Sequence, residues 1–287
     1  DNNETDYLNV INNRWDEMNP AADVQEVLDR CRNNTGMPVP PGITFSVTSV
    51  NTYSKCPKMY ELKQVLGMPT RAEEQPDGAM NVGSFVHRVL EMAVRQRIST
   101  REQLDGIVTS LTEQDTWKWV DVELARPLLE VFWKRNKHTI PNNRMVEKMF
   151  SVQLDTHVFT GFIDRVDLIP GSDNEVEIID YKTGKEPDPV ERSRQLLLYA
   201  EGFRHLYPEY TVRKLTLELL SQQKPRVYEL QDGEYVSSRV QPLDNEVIPG
   251  MVEVANRIIH DYQYGFERCD DDKQCKKCGY TLYCDHA

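Results

Sequence analysis

The sequence has no apolar run approaching the roughly 20 residues that a membrane-spanning helix needs, and no short apolar segment behind a basic start that would direct secretion. A cytoplasmic chain without a membrane partner is therefore the expectation. Positive charge is also scarce: 34 Lys and Arg stand against 46 Asp and Glu, a net charge of -12. That is the wrong sign for coating nucleic acid through bulk electrostatics, so any such contact must be local. Clustered carboxylates are tolerated where divalent cations sit among them, and acidity alone leaves that possibility open. No glycine loop of the G-x-x-x-x-G-K-[ST] type occurs, which argues against a nucleotide-driven motor, and there are no internal repeats. Six cysteines in 287 residues are too few and too uneven for a disulfide scaffold. Three of them crowd the C-terminal end, a pattern that suits metal binding.

What remains, 39% hydrophobic and 28% charged residues, suits one large or two modest globular domains. Residues 1–35 are polar, Asn-rich and weakly helical, and the Pro-rich stretch at 37–42 sets them apart as an extension over residues 1–43. Helical spacing of apolar residues is expected over about 46–66, 81–97 and 101–137, with Trp117, Trp119 and Trp133 as packing residues. An aromatic side chain there could also stack a nucleobase. From residue 145 the period falls to two, predicting strands at 145–154, 158–169 and 176–182 with turns between them. A helix at 189–206, strands at 212–220 and 226–230 and a last helix at 244–262 complete the pattern.

The run Glu175-Val-Glu-Ile-Ile-Asp-Tyr-Lys-Thr-Gly184 puts Asp180 and Lys182 on the face that carries Ile178, because residues two apart in a strand point the same way. Burying unlike charges there costs free energy unless a metal or a phosphate completes the arrangement. Asp164, on an apolar face with Phe162, Val166 and Leu168, makes the same demand. If the second and third strands are neighbours, Asp164 and Asp180 can reach one ion, and the backbone carbonyl of Tyr181 can add an oxygen. Oxygen ligands suit Mg2+, and Mn2+ tolerates an imidazole, which His87 could supply from a helix face shared with Gly83 and Glu91. Gln195 and Tyr199 repeat the four-residue step on a later helix. Hydrolysis of a phosphodiester is the chemistry such a cluster suits, with Lys182 holding the attacking water.

Gly-x-x-x-His at 83–87, Gly-x-Ile-Asp-Arg-x-Asp at 161–167, Asp-Tyr-Lys-Thr-Gly at 180–184 and Gln-x-x-x-Tyr at 195–199 resemble, in order, the motifs of the RecB-type PD-(D/E)XK nucleases. The resemblance covers about residues 44–287 and implies an α/β fold. Its core would be a restriction-endonuclease-like central mixed β-sheet flanked by helices, with a helical N-terminal region and a C-terminal Cys cluster. It implies divalent metal, Mg2+ or Mn2+, held by His87, Asp164 and Asp180, with Lys182 as the catalytic lysine and Gln195 and Tyr199 supporting the site or the DNA. The expected activity is exonucleolytic, on single-stranded DNA or DNA ends, in repair, recombination or replication beside a helicase or recombination partner. The alternatives are a non-catalytic DNA-end binding module and a subunit active only in a helicase-containing complex.

Cys275-x2-Cys278-x5-Cys284 can place three thiolates around one centre that needs a fourth ligand. Together with Cys56 these cysteines resemble the ligands of iron-sulfur nucleases of the same type, such as the AddB subunit and CRISPR-associated members. The resemblance implies a structural 4Fe-4S cluster closing the nuclease domain. The local alternative is a zinc knuckle of Cys269, Cys275, Cys278 and Cys284. Cys31 lies outside both patterns and is expected to be an ordinary thiol.

Overall fold

The computed structural model describes residues 33, 36–68, 78–281 and 283–284, with the backbone alone at 78–81. The weakly helical reading of residues 1–35 and the state of Cys31 fall, residue 33 apart, outside the described residues. Two compact units divide the chain, Asp1–Pro76 with Gly250–Ala287 and Asp77–Pro249.

In the first unit a two-residue strand, β1 (Thr44–Phe45), leads into α1 (Val47–Lys55). Ser46 caps α1 and exchanges hydrogen bonds with Ser49 in a capping box. The expected continuous helix over 46–66 is broken. Pro57 brings no N–H donor, so Cys56 turns extended and α2 (Pro57–Tyr60) starts afresh, followed by a single π-helical turn at Glu61–Val65. The helix α7 (Val247–Tyr264), displaced by a few residues from the expected 244–262, supplies the other side of this unit from Gly250 onward. Tyr60 packs edge-on against Tyr53 and tilted against Phe266, with ring centroids 5.8 Å apart in each case. The Tyr53 hydroxyl donates to Asp261 at 2.6 Å. A short helix, α8 (Asp272–Cys275), was not expected from the periodicity; the Asp271 carboxylate caps it by accepting from Lys273 and Gln274 N–H.

The second unit is a mixed sheet flanked by helices. Strand β2 (Asn143–Leu154) returns through a two-residue turn into β3 (His157–Leu168), and the two pair antiparallel along their length. β3 pairs antiparallel with β4 (Glu175–Lys182), and β4 runs parallel to β5 (Thr211–Leu219). β6 (Arg226–Gln231) and the unexpected β7 (Glu234–Val236) extend the sheet antiparallel. The crossover between the parallel strands is α6 (Pro189–Leu206), which Asp188 caps with Pro189 in the first turn.

Against the sheet lie α3 (Gly78–Arg95), α4 (Arg101–Thr112) and α5 (Val122–Asn136). The stripe Phe85, Val86, Val89, Leu90 and Ala93 of α3 is fully buried with Leu104, Leu129, Phe132, Ile179 and Tyr181, each large apolar side chain contributing about 1.5–3 kcal/mol. The helical pattern over 101–137 resolves into two helices, because the Asp121 carboxylate accepts from Glu123 and Leu124 N–H and starts a new one. Trp119 sits in that break and is 81% exposed, which corrects its reading as a packing residue. Trp117 and Trp133 do pack against the core. Among the described residues no helix is long and apolar enough to cross a membrane.

Candidate functional site

The site forms where β3 and β4 stop pairing. Their last paired residues are Arg165 and Ile179. One step further, at Asp164 and Asp180, the ladder ends, and the Tyr181 N–H donates to the Asp164 carboxylate at 2.7 Å. On the other side of β3, the pairs Val146↔Arg165 and Lys148↔Ile163 bracket Glu147 and Asp164. Adjacent strands thus bring three carboxylates to one place. Helix α3 adds His87, whose Nδ1 lies 3.7 Å from Asp164 Oδ2. Gly83, one turn earlier, permits the close approach, since a Cβ there would stand 3.2 Å from Thr183 Oγ1. Ligand atoms of His87, Glu147 and Asp164 all lie within 4.8 Å of one another, at a cleft of about 520 Å³.

Asp180 is the deepest of the acids, its side chain 2% exposed. Gln195 Nε2 donates to Asp180 Oδ1 at 2.8 Å and to the Tyr199 hydroxyl at 3.0 Å, which fixes the amide. Lys182 Nζ stands 2.6 Å from Asp180 Oδ2 as its ion-pair partner, at the buried oxygen that Gln195 does not reach. One ammonium among the carboxylates of Asp164, Asp180 and Glu147 leaves a surplus of buried negative charge, which is unfavourable until a further cation meets it. Burial, and then the charge of Asp180, push the Asp164 carboxyl well above the ordinary carboxylate range. Burial and the neighbouring Glu91 raise Glu147, while burial holds His87 below its ordinary value against the pull of Asp180. The raised carboxyls are those of buried acids that repel their neighbours, and the lowered His87 favours the neutral imidazole that ligates metals. A divalent cation fits this donor set of carboxylate oxygens and one imidazole.

The expected residues His87, Asp164, Asp180, Lys182, Gln195 and Tyr199 therefore lie together. The Tyr181 backbone hydrogen-bonds to His87, and its buried hydroxyl accepts from Arg165 Nη1 at 3.1 Å. Glu91 borders the same cleft, held between Arg88 at 2.6 Å and Arg95 at 2.8 Å. Sequence reasoning missed Glu147. Its backbone is in the left-handed region (φ 49°), costly for a non-glycine residue and common at functional sites. Counting back from the two-residue turn at 155–156 pairs it with Asp164, and that was the available signal.

In the first unit the second cluster gathers Cys56, Cys269, Cys275, Cys278 and Cys284 around one small cavity. The Cys269 N–H donates to Cys56 Sγ at 3.3 Å, and Cys269 Sγ lies 3.9 Å from Cys275 Sγ. Cys278 is brought round by its N–H donating to the Cys275 carbonyl at 3.0 Å. Burial raises the Cys56 thiol, and burial with the neighbouring Cys269 pushes Cys275 up to about 11. All-sulfur donors fit a soft centre, an iron-sulfur cluster or zinc, with one thiol more than four-coordination uses.

A family model described as the PD-(D/E)XK nuclease superfamily matches residues 44–285. No curated protein matches the chain. Among solved structures, a provisionally named exonuclease from Eubacterium rectale is similar at 13% identity and a TM-score of 0.46, over 84% of this chain and 94% of its own. The protein called SSO0001 is similar at 13% identity and a TM-score of 0.38, over 92% of this chain and 97% of its own.

Proposed function

The chain belongs to the PD-(D/E)XK nuclease superfamily, and from that premise we propose that it is a divalent-metal-dependent deoxyribonuclease, working as an exonuclease on single-stranded DNA or DNA ends. Residues 44–287 form the nuclease domain in this reading, preceded by an extension. Nucleases of this superfamily use divalent metals, and His87, Glu147, Asp164 and Asp180, with the Tyr181 carbonyl, are the residues that would hold Mg2+ or Mn2+ here. When bound, such an ion favours deprotonation of water and offsets charge on the phosphoryl oxygens. The observation that carries the reading is the convergence of His87, Glu147 and Asp164, whose ligand atoms lie within 4.8 Å of one another, beside the Asp180–Lys182 ion pair.

The chain's own residues do the rest. Gln195 orients the Asp180 carboxylate, and Tyr199, kept protonated by burial, is the hydroxyl against which Gln195 is fixed. The Tyr181 N–H locks one oxygen of Asp164 and leaves the other for the cleft. Lys182 carries its ammonium to the point where the attacking water and the phosphoryl oxygens meet, which restrains the water for in-line attack. A 4Fe-4S cluster held by Cys56, Cys275, Cys278 and Cys284 has a structural part in this proposal, joining the two sequence segments of the first unit. By family likeness the activity belongs to repair, recombination or replication, beside a helicase or recombination partner.

Labelled single- and double-stranded DNA incubated with the purified protein, in Mn2+ and in chelator, tests the proposal. Cleavage that needs metal and vanishes in Asp180→Asn is the expected result. Binding without metal-dependent cleavage would instead establish a DNA-end scaffold.

A further inference from the structure

We propose that Phe162 and Met149 form a stacking step for the nucleobase next to the phosphate bound at the carboxylate cluster, an inference that rests on the nuclease reading. The two residues are Cα partners across the β2·β3 ladder. Phe162 is 54% exposed and Met149 is 56% exposed, whereas their neighbours Phe150, Phe159 and Ile163 are buried. Alternate residues of paired strands share a face, and two residues along a strand span roughly 6.6 Å. Phe162 therefore lies one such step from Asp164, and Met149 stands opposite Phe162 on the paired strand. The apolar pair continues the face that carries Asp164.

Single exposed apolar residues are ordinary, but a facing pair in register beside a charged cleft has a defined chemistry. A phenyl ring and a polarizable thioether offer a flat apolar surface to a π-system, and every nucleobase has such a face. The net charge of -12 gives the occupant's identity further weight. An acidic protein cannot hold a polyanion by bulk attraction, so affinity must come from the metal on the phosphate and from contacts to the bases. Stacking of this kind tolerates any sequence, which suits an enzyme that consumes a strand processively or base by base.

Two readouts test the proposal. In the first, cleavage of a single-stranded oligonucleotide is compared with cleavage of the same strand carrying abasic nucleotides. Phe162→Ala should raise KM on the normal strand roughly five- to hundredfold with kcat little changed, have no effect on the abasic strand, and be rescued by Phe162→Trp. Equal effects on both strands, or none on either, would overturn the idea. In the second, an oligonucleotide bearing 2-aminopurine at its terminal nucleotides is bound in Ca2+; the wild type and Met149→Ala should quench it fully and partly, and Phe162→Ala should not. If the wild type cleaves nothing, the nuclease reading falls and this second arm alone decides: quenching lost in Phe162→Ala supports the stacking step, and its absence in the wild type overturns it. Unchanged quenching with an altered sedimentation coefficient in Phe162→Ala would assign the pair to self-association and also overturn the proposal.

Discussion

Arg165 and Asp180 are both buried charges, and their partners separate a structural role from a chemical one. Arg165 is fully enclosed and spends its donors on Asp167, Asn136, Thr139 and the Tyr181 hydroxyl. Nothing in that network is free to meet a ligand. Arg165→Met should therefore cost about 3–5 kcal/mol in urea unfolding, because it strands the Asp167 carboxylate in the interior. Asp180 is the reverse case. It pairs with Lys182 at 2.6 Å but repels the neighbouring Asp164, whose carboxyl is raised in the metal-free protein. Asp180→Asn should remove roughly a thousandfold or more of the cleavage rate, yet change the stability of the metal-free protein by no more than about 1 kcal/mol, because the lost Lys182 pair offsets the relieved repulsion of Asp164. Parallel measurement of Mn2+-dependent cleavage and denaturant midpoint checks both halves. A large stability loss in Asp180→Asn would mean that the carboxylate is structural.

The connection from β4 to α6 shows how elements hold such a site. Glu186, in that connection, binds Arg192 of α6 at 2.7 Å and Arg226 of β6 at 2.7 and 2.8 Å. Arg226 first, with burial opposing it, holds the Glu186 carboxyl below its ordinary value of 4.5. A depressed carboxylate contributes stability above its unfolded value and loses it as pH falls through the folded one. Glu186→Gln should cost about 1 kcal/mol at pH 7, solvent screening included, and the two proteins should converge in unfolding experiments carried well below pH 4. The strands and helices that position these residues were legible in the sequence, since alternation at 145–182 and the α3 stripe are direct records of burial. Breaks in elements were less so: the Pro57 interruption and the Asp121 cap each turned one expected helix into separate pieces. Glu147 was hidden for a different reason. Its type fits any solvent-facing strand position, and only the hairpin register and a left-handed backbone reveal it. Helix contact was equally unreadable: a Cβ on Gly161 would sit 2.8 Å from the Phe150 ring, and one on Gly202 of α6 would collide with the same ring, a glycine-lined seat that only the fold assembles.

For the whole molecule, two features set expectations, a thiol cluster in one unit and a surplus of negative charge over the chain. Cys56 comes from the segment at 36–68 and the other cluster thiols from 269–284, so a centre bound by them closes the first unit across distant sequence. Cys56→Ala should abolish broad visible absorption and bound iron and lower the thermal midpoint, whereas Cys269→Ala should keep the colour if the cluster uses the other four; colourless protein with stoichiometric zinc would defeat the iron-sulfur assignment. The charge makes a prediction about binding to DNA. Each phosphate neutralised on a single strand contributes a slope of about -0.7 to the logarithm of affinity against the logarithm of salt. Under the proposed mode of binding, in which a protein of net charge -12 meets its substrate through one metal centre, Lys182 and a stacked base, few phosphates are touched, so the slope in Ca2+ should be no steeper than about -3. The intercept, not the slope, should respond to Phe162→Ala, because stacking releases no counterions. Slopes from fluorescence titrations between low and moderate salt check this. A value near -7 would require an extended cationic track of roughly ten phosphates, and recognition would then be electrostatic along the strand instead of local at the cleft.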